Sequence, residues 1–334
     1  MKRAGNLYHL ISDYENLCKA FVNASRGKHG KQEVINFKKD FAANIAKLRH
    51  QIQHHDFSIG HYRFFQVLDP KPREICAASF QERVLHHAIM NICEPVMDSY
   101  MIHDSYACRK EKGNVKAVIK AHCFTKCFPW YLKLDIKKYF DSIDHSILMR
   151  LLSDRIKDKN VLLLFQKLLA TYHTTHNKGL PIGNLISQHC ANFYLGVFDH
   201  WIKEVRLVKG YVRYMDDFLI FGLEKSVLKQ ELGIIQEFLA NNLSLRLKEN
   251  IQLNKCRHGI PFLGYRIFPD KILLGTESRK RFIKKFPKYE SNLTHGVWSI
   301  NRLVRHMEPL IEFTRNADAR EFRNSIITSL GVLS

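Results

Sequence analysis

One tetrapeptide limits what this chain can be. Tyr214-Met215-Asp216-Asp217 stands between apolar residues on both sides, with Val212 and Tyr214 before it and Phe218-Leu219-Ile220-Phe221-Gly222 after it. Both flanks read as β-strands, which puts two adjacent aspartates at a hairpin tip. An isolated Asp-Asp pair is commonly a solvent-facing turn. That reading weakens here because a second strand carries the same anomaly: Trp130-Tyr131-Leu132-Lys133-Leu134-Asp135-Ile136 is apolar and ends on an aspartate. Burying like charges side by side is costly unless cations neutralise them. Two magnesium ions ~4 Å apart, held by carboxylates from two strands, stabilise the attacking and leaving oxygens of a phosphoryl displacement. Asp135, Asp216 and Asp217 are the carboxylates expected to hold such a pair.

Charge points to a polyanionic partner. Among 334 residues, 52 are Lys or Arg and 32 are Asp or Glu, a net charge of +20. Nucleic acid is the commonest partner of so basic a chain. With 46% apolar and 25% charged residues and few Gly or Pro, collagen-like and mostly disordered classes are excluded. The eight cysteines are scattered, with no C-x-x-C, and Cys123 with Cys127 lacks a second pair, so a zinc site is not expected. Asp13 and Glu15 interrupt any signal-peptide core, and Gly179 to Phe198, the longest stretch without Asp, Glu, Lys or Arg, is too polar to span a membrane. The expectation is a reducing cytoplasm and no membrane.

Along the chain, residues 1 to about 58 space their apolar side chains by three or four, as helices do. Tyr62 to Leu68 reads as a strand, Asp69-Pro70-Lys71-Pro72 as its turn, and Arg73 to Ala77 as its partner. Ser79 and Glu82 read as a capping box before Val84, Leu85, Ala88, Ile89 and Ile92. Residues 130 to 275 alternate short strands with helical patterns. The last 60 residues show no clear strand and open with Ser278 to Lys288, which holds six basic residues and no acid. Phe282, Ile283 and Phe286 interleave that run, so one stripe packs and a cationic stripe faces phosphate. Of the 18 histidines, most read as surface or RNA-facing groups, and the adjacent pairs His54-His55 and His86-His87 are unsuited to a shared metal on one helical face.

These stretches together resemble the reverse transcriptases. LKLDIKKYF is similar to that family's first aspartate motif and YMDD to its second, and the likeness covers most of the chain. The resemblance implies an α+β right-hand polymerase with fingers, an antiparallel palm sheet and thumb. Its parts would be an N-terminal helical extension at 1–58, fingers at 59–129, a palm with inserted finger helices at 130–260, a primer-grip hairpin at 261–275 and a helical thumb at 276–334. It implies that Asp135 and Asp216 bridge two magnesium ions (manganese being a substitute), with Asp217 beside them and the Ile136 carbonyl completing one shell. PKPREI resembles the segment that holds the incoming nucleotide, placing Arg73 and Lys71 on the triphosphate, with Lys138, Tyr139, Phe140, Ile182, Gln188 and Lys255 also on the substrate. Phe140, five residues past Asp135, would be the steric gate against a ribose 2'-hydroxyl. FLGYRI resembles the primer grip, so Phe262, Leu263, Gly264 and Tyr265, with Arg279, Lys280 and Lys284 of the basic tail, would contact nucleic acid.

Pro181-Ile182-Gly183 followed by Ser187-Gln188 stands where most reverse transcriptases carry Pro-Gln-Gly and then Ser-Pro. This form is similar to the enzymes of diversity-generating retroelements of bacteria and their phages. The resemblance implies error-prone, adenine-mutagenic copying of a template-repeat RNA into DNA (mutagenic retrohoming). It also implies an RNA/DNA hybrid, deoxynucleoside triphosphates and a small basic pentameric accessory variability protein as partners. Ile182 presents a stiff apolar surface where glutamine would offer hydrogen bonds. The rival readings are a bacterial reverse transcriptase of another lineage, such as an antiphage defence type, and a catalytically inactive RNA-binding palm.

Overall fold

The computed structural model describes residues 2–68 and 72–331. Lys71, expected on the triphosphate, lies outside the described residues. The chain forms two compact units. One comprises Met1–His103, Ile136–Arg206 and Ile235–Lys248, the other Asp104–Asp135, Leu207–Ile234 and Glu249–Ser334.

The first unit is mostly helical and is built around the helix Phe80–Asp98. Val84, Leu85, Ala88, Ile89 and Cys93 are buried along it, the spacing of an apolar helical face. The helix Tyr14–Ser25 packs against it, held in register by Asn16 Nδ2 donating to the Ala88 carbonyl (3.0 Å) and Asn91 Nδ2 donating to Asn16 Oδ1 (3.0 Å). Phe21, Phe37, Phe41 and Phe80 form an aromatic cluster beside it.

Two expectations are corrected here. Ser79 Oγ caps the central helix by accepting the Glu82 amide at 3.3 Å, but the reciprocal half of the capping box is missing. Instead both Glu82 oxygens accept the Gly60 amide at 3.2 Å, and His86 Nε2 lies 3.5 Å away. A buried carboxylate takes the donors that enclose it, and Glu82 is deeply buried. His86 is buried as well rather than surface or RNA-facing. Burial, with the charges of His86, Lys28, Arg83 and His189, pushes His87 down to about 4. The central helix is covered on several sides, so even its histidines turn inward.

From this unit also projects a two-stranded antiparallel ribbon, β1 (Tyr62–Val67) and β2 (Arg73–Ala78), with Tyr62 opposite Ala78 and Val67 opposite Arg73. Nearly all of β1 is exposed, including Phe64 and Phe65.

The second unit carries the main sheet. Its strands are β3 (Trp130–Asp135), β4 (Gly210–Tyr214), β5 (Asp217–Gly222) and β6 (Gln252–Lys255), all antiparallel in the order β4-β5-β3-β6. The helix Asn114–Cys127 lays Ala117, Val118 and Ala121 over Tyr131, Val212, Leu219 and Phe221; its small residues let helix and sheet approach. A second antiparallel sheet follows: β7 (Ile260–Phe262), β8 (Tyr265–Ile267) and β9 (Ile272–Leu274). Helices Thr276–Thr294, Ile300–Arg315 and Arg320–Leu330 complete the unit. On the first of these, Phe282 and Phe286 are buried one turn apart, but Ile283 is 39% exposed. One residue is about 100° of helical rotation, which carries Ile283 off the packed stripe expected of it. Among the described residues no helix is long and apolar enough to cross a membrane.

Candidate active site

Strand alternation sets up the site. In β3, Leu132 and Leu134 are buried on one face, while Tyr131, Lys133 and Asp135 share the other. That second face runs from apolar to acidic: Tyr131 pairs with Phe221, Lys133 with Leu219 and Asp135 with Asp217. Directly opposite residues of an antiparallel pair hold their Cβ atoms ~4.5–5.5 Å apart, and like charges there repel. Asp217 is therefore the first residue of β5 rather than part of the turn, as the hairpin reading had it. Only Met215 and Asp216 form the connection, between the paired Tyr214 and Asp217.

Met215 has φ +56°, a conformation that costs an L-residue energy unless its surroundings impose it. What imposes it is Arg213, whose fully buried guanidinium donates from Nη1 to the Met215 carbonyl at 2.9 Å. The Arg213 main chain is fixed too, its amide donating to Asp104 O and its carbonyl accepting from Tyr106 N, both at 3.0 Å.

The electrostatics are unbalanced. Lys133 Nζ lies 3.2 Å from Asp217 Oδ2 and donates to the Pro261 carbonyl at 2.8 Å. Asp217 Oδ1 is buried with no hydrogen-bond partner, and Asp135 Oδ1 is likewise sealed from solvent. Burial raises Asp217 from 3.8 to about 6; Lys133 opposes the rise, and the neighbouring charges of Asp135 and Asp216 add to it. A buried carboxylate oxygen without a donor, beside two more carboxylates, suits a hard divalent cation. Among the described residues no three potential ligand side chains converge tightly enough to enclose an ion alone.

Lys133 and Arg213 were missed in the sequence. Each had a signal: a cation inside an otherwise apolar strand, within two or three residues of an aspartate.

The other expected residues fall into separate groups. In the second unit, Lys255 pairs with Trp130 at the opposite end of β3 from Asp135, five residues or ~17 Å along the strand. That distance sets it apart from the carboxylates. Phe262 and Tyr265 are buried, and Tyr265 stacks on Phe313 at 4.6 Å and donates to its carbonyl at 2.8 Å. Their side chains brace the hairpin rather than meet nucleic acid. Of these four expected residues, Leu263 and Gly264, both at positive φ, are the accessible ones, Leu263 half-buried and Gly264 exposed. Gly264 is required there, because a Cβ would stand 2.8 Å from the Phe313 ring. Arg279 lies over the Phe322 ring, Lys280 pairs with Glu277 at 3.1 Å, and Lys284 is exposed.

In the first unit, Ile136 is buried and bridges to Leu247, and Lys138 is exposed at φ +47°. Tyr139 is buried with its hydroxyl on the Ala191 carbonyl, whereas Phe140 is half-buried and accepts the Leu180 amide at 2.8 Å. Ile182 is half-buried, its carbonyl accepting the Cys76 amide of β2 at 2.7 Å. A Cβ on Gly183 would stand 2.7 Å from the Ile75 side chain, so this turn lies directly on β2. Gln188 and Arg73 are exposed.

The family model described as reverse transcriptase (RNA-dependent DNA polymerase) matches residues 68–267. This chain belongs to the reverse transcriptase family. Protein YkfC of Escherichia coli K12 is 24% identical over 362 residues, covering 89% of this chain and 92% of that protein. The COX1/OXI3 intron 2 protein of Saccharomyces cerevisiae is 23% identical over 297 residues; the match covers 70% of this chain but only 34% of that longer protein. The structure of apo telomerase from Candida tropicalis superposes with a TM-score of 0.51 at 11% identity, over 80% of this chain and 59% of that one. The fold of this reverse transcriptase family member is accordingly the α+β right-hand polymerase, with β4-β5-β3-β6 as its palm sheet.

Proposed function

We propose that the chain is an RNA-directed DNA polymerase that extends a primer 3' end on an RNA template with deoxynucleoside triphosphates. The observation that carries this reading is the pairing of Asp135 with Asp217 across β3 and β5, with a buried Asp217 oxygen left without a donor. Bound there, divalent ions would lower the pKa of the primer hydroxyl and neutralise the charge that develops on the leaving pyrophosphate. Asp135, Asp216 and Asp217 would hold them. Arg213 fixes the hairpin main chain so that Asp216 and Asp217 are presented in one geometry. Lys133 holds one oxygen of Asp217 and leaves the other to face the site. Arg73 and Lys138 supply exposed cations for triphosphate, and Phe140 supplies the bulk that disfavours a ribose.

The finer reading is an enzyme of a diversity-generating retroelement, copying a template-repeat RNA with errors at adenine and working with a small basic pentameric accessory protein. The Ile182-Gly183 turn and Ser187-Gln188 support it. Ile182 offers the nascent pair no hydrogen bonds, so a mismatch loses none.

The test is primer extension by the purified chain on a defined RNA template with magnesium, with sequencing of the product. Extension that Asp217→Asn lowers by orders of magnitude is expected, and absence of extension by the unsubstituted chain with either magnesium or manganese would sink the polymerase reading. Ile182→Gln is expected to lower errors opposite template adenine several-fold; an unchanged error spectrum would remove the retroelement reading while leaving the polymerase in place.

A further inference from the structure

The end of the palm sheet opposite the carboxylates has a different character. Where β3 begins, a cleft of about 480 Å³ opens beside Trp130, with Lys126 and Cys127 from the last turn of the helix Asn114–Cys127, Pro129, Lys255 at the end of β6 and Arg257 just beyond it. No acidic residue lines it. Lys255 Nζ lies 5.3 Å from the Trp130 ring centroid, and Lys225 Nζ, from the helix Lys225–Leu243, lies 5.8 Å from it. Lys126, Lys225 and Arg257 are exposed and Trp130 is half-buried. Among the described residues none of these four cations has a carboxylate within ion-pairing distance, although elsewhere the chain pairs Lys280 with Glu277 and Arg315 with Glu312.

Four cations around one accessible indole, without an acid, make up the chemistry that binds single-stranded nucleic acid: the cations take phosphates and the aromatic face takes a base. A protein partner would need a complementary acidic segment and would have no use for the ring between the lysines. The position is also informative. Trp130 and Asp135 lie at opposite ends of one strand, ~17 Å apart.

We propose that this cleft is a second nucleic-acid contact, holding single-stranded RNA outside the copying site by its phosphates and by one base on Trp130. It rests on the polymerase reading only for the choice of RNA as ligand. Lys126 and Arg257 act as phosphate contacts. Lys225 and Lys255 flank the indole and yield one side of it to a base.

The experiment compares two fluorescent ligands on the full chain: a short blunt RNA/DNA hybrid, and the same hybrid carrying a 20-nucleotide single-stranded RNA extension. An otherwise identical extension of DNA is a third arm, which separates RNA from a displaced DNA strand as the source of the phosphates. The double variant Lys126→Glu/Arg257→Glu changes two exposed side chains and is expected to fold. It should lose about tenfold in affinity for the RNA-extended hybrid, with the salt slope reduced by about 1.4, while the blunt hybrid binds as before. Cys127 provides an independent readout, since the RNA extension should slow its alkylation, followed by mass spectrometry on its peptide. Equal loss on both hybrids, no loss on either, or unprotected Cys127 overturns the proposal. A DNA extension that binds and protects as well as RNA overturns its assignment to RNA. Failure of the chain to extend primers would instead tell against the polymerase reading, because every arm here measures binding alone.

Discussion

Two hairpins of the molecule are built on opposite principles. The β4–β5 hairpin is buried along nearly its whole length and closes in two residues, its strained tip held by a guanidinium in the core. The β1–β2 ribbon is exposed on most of β1 and has apolar side chains facing water. On the proposed reading the buried hairpin holds Asp216 and Asp217 at fixed spacing, because ions held by rigid carboxylates would cost no reorganisation when charge develops. The open ribbon carries Arg73, an exposed cation that we propose meets the triphosphate. Rigidity is placed where charge is created, and access where charge is collected.

The difference makes predictions that separate activity from stability. The largest effect is expected at Asp217. Asp217→Asn should lower primer extension by about 10²–10³-fold, the scale of losing one electrostatic contact to the transition state. Yet the same change should stabilise the metal-free protein. A carboxyl near 3.8 when unfolded and about 6 when folded destabilises the fold fully above pH 6. That penalty fades as pH falls from 6 toward 4, when the folded group takes up its proton. Thermal melting in chelator should therefore show Asp217→Asn raising Tm at pH 7.5 and much less at pH 4.5, with a gain of at most about 3 kcal/mol. A lower Tm at pH 7.5 would mean that the acidic end of the sheet is not strained.

Arg213→Met comes next. Removing a buried charge from its partners costs about 3–5 kcal/mol and releases the Met215 carbonyl. A fall in denaturation midpoint together with a lower kcat is expected; full stability would show that the tip holds itself. The smallest effect belongs to the ribbon. Arg73→Ala should raise KM for deoxynucleotides by about tenfold, the 1–2 kcal/mol of an exposed charged contact, with the melting temperature unchanged. If Arg73→Ala destabilised the fold as Arg213→Met does, the contrast between the hairpins would fail.

Much of the site was legible in the sequence, for a physical reason. Apolar strands that end on aspartates are so costly to bury without cations that Asp135, Asp216 and Asp217 could be grouped from their neighbours alone. The β-prone run ended by a Pro-rich turn and the period-3.6 pattern likewise located β1, β2 and the central helix. Partners brought together by folding were not legible. Lys133 reaches Asp217 across the sheet, and Glu82 leaves its own helix end for Gly60; neither pairing lies within one turn or one strand. Burial direction was also hidden wherever a segment is covered on more than one side. Phe262 and Tyr265 looked like a surface for nucleic acid because nothing local shows the helices that close over them.

The ribbon has one more consequence. Among the described residues β1 hydrogen-bonds to β2 alone, and Phe64, Phe65 and Val67 sit along it in water. Such an open border invites a second polypeptide to add itself as a further strand. A surplus of twenty positive charges holds copies apart in dilute buffer, and electrolyte weakens that repulsion. Without its polyanion, the protein should cluster most readily in the same concentrated salt used to strip nucleic acid from it.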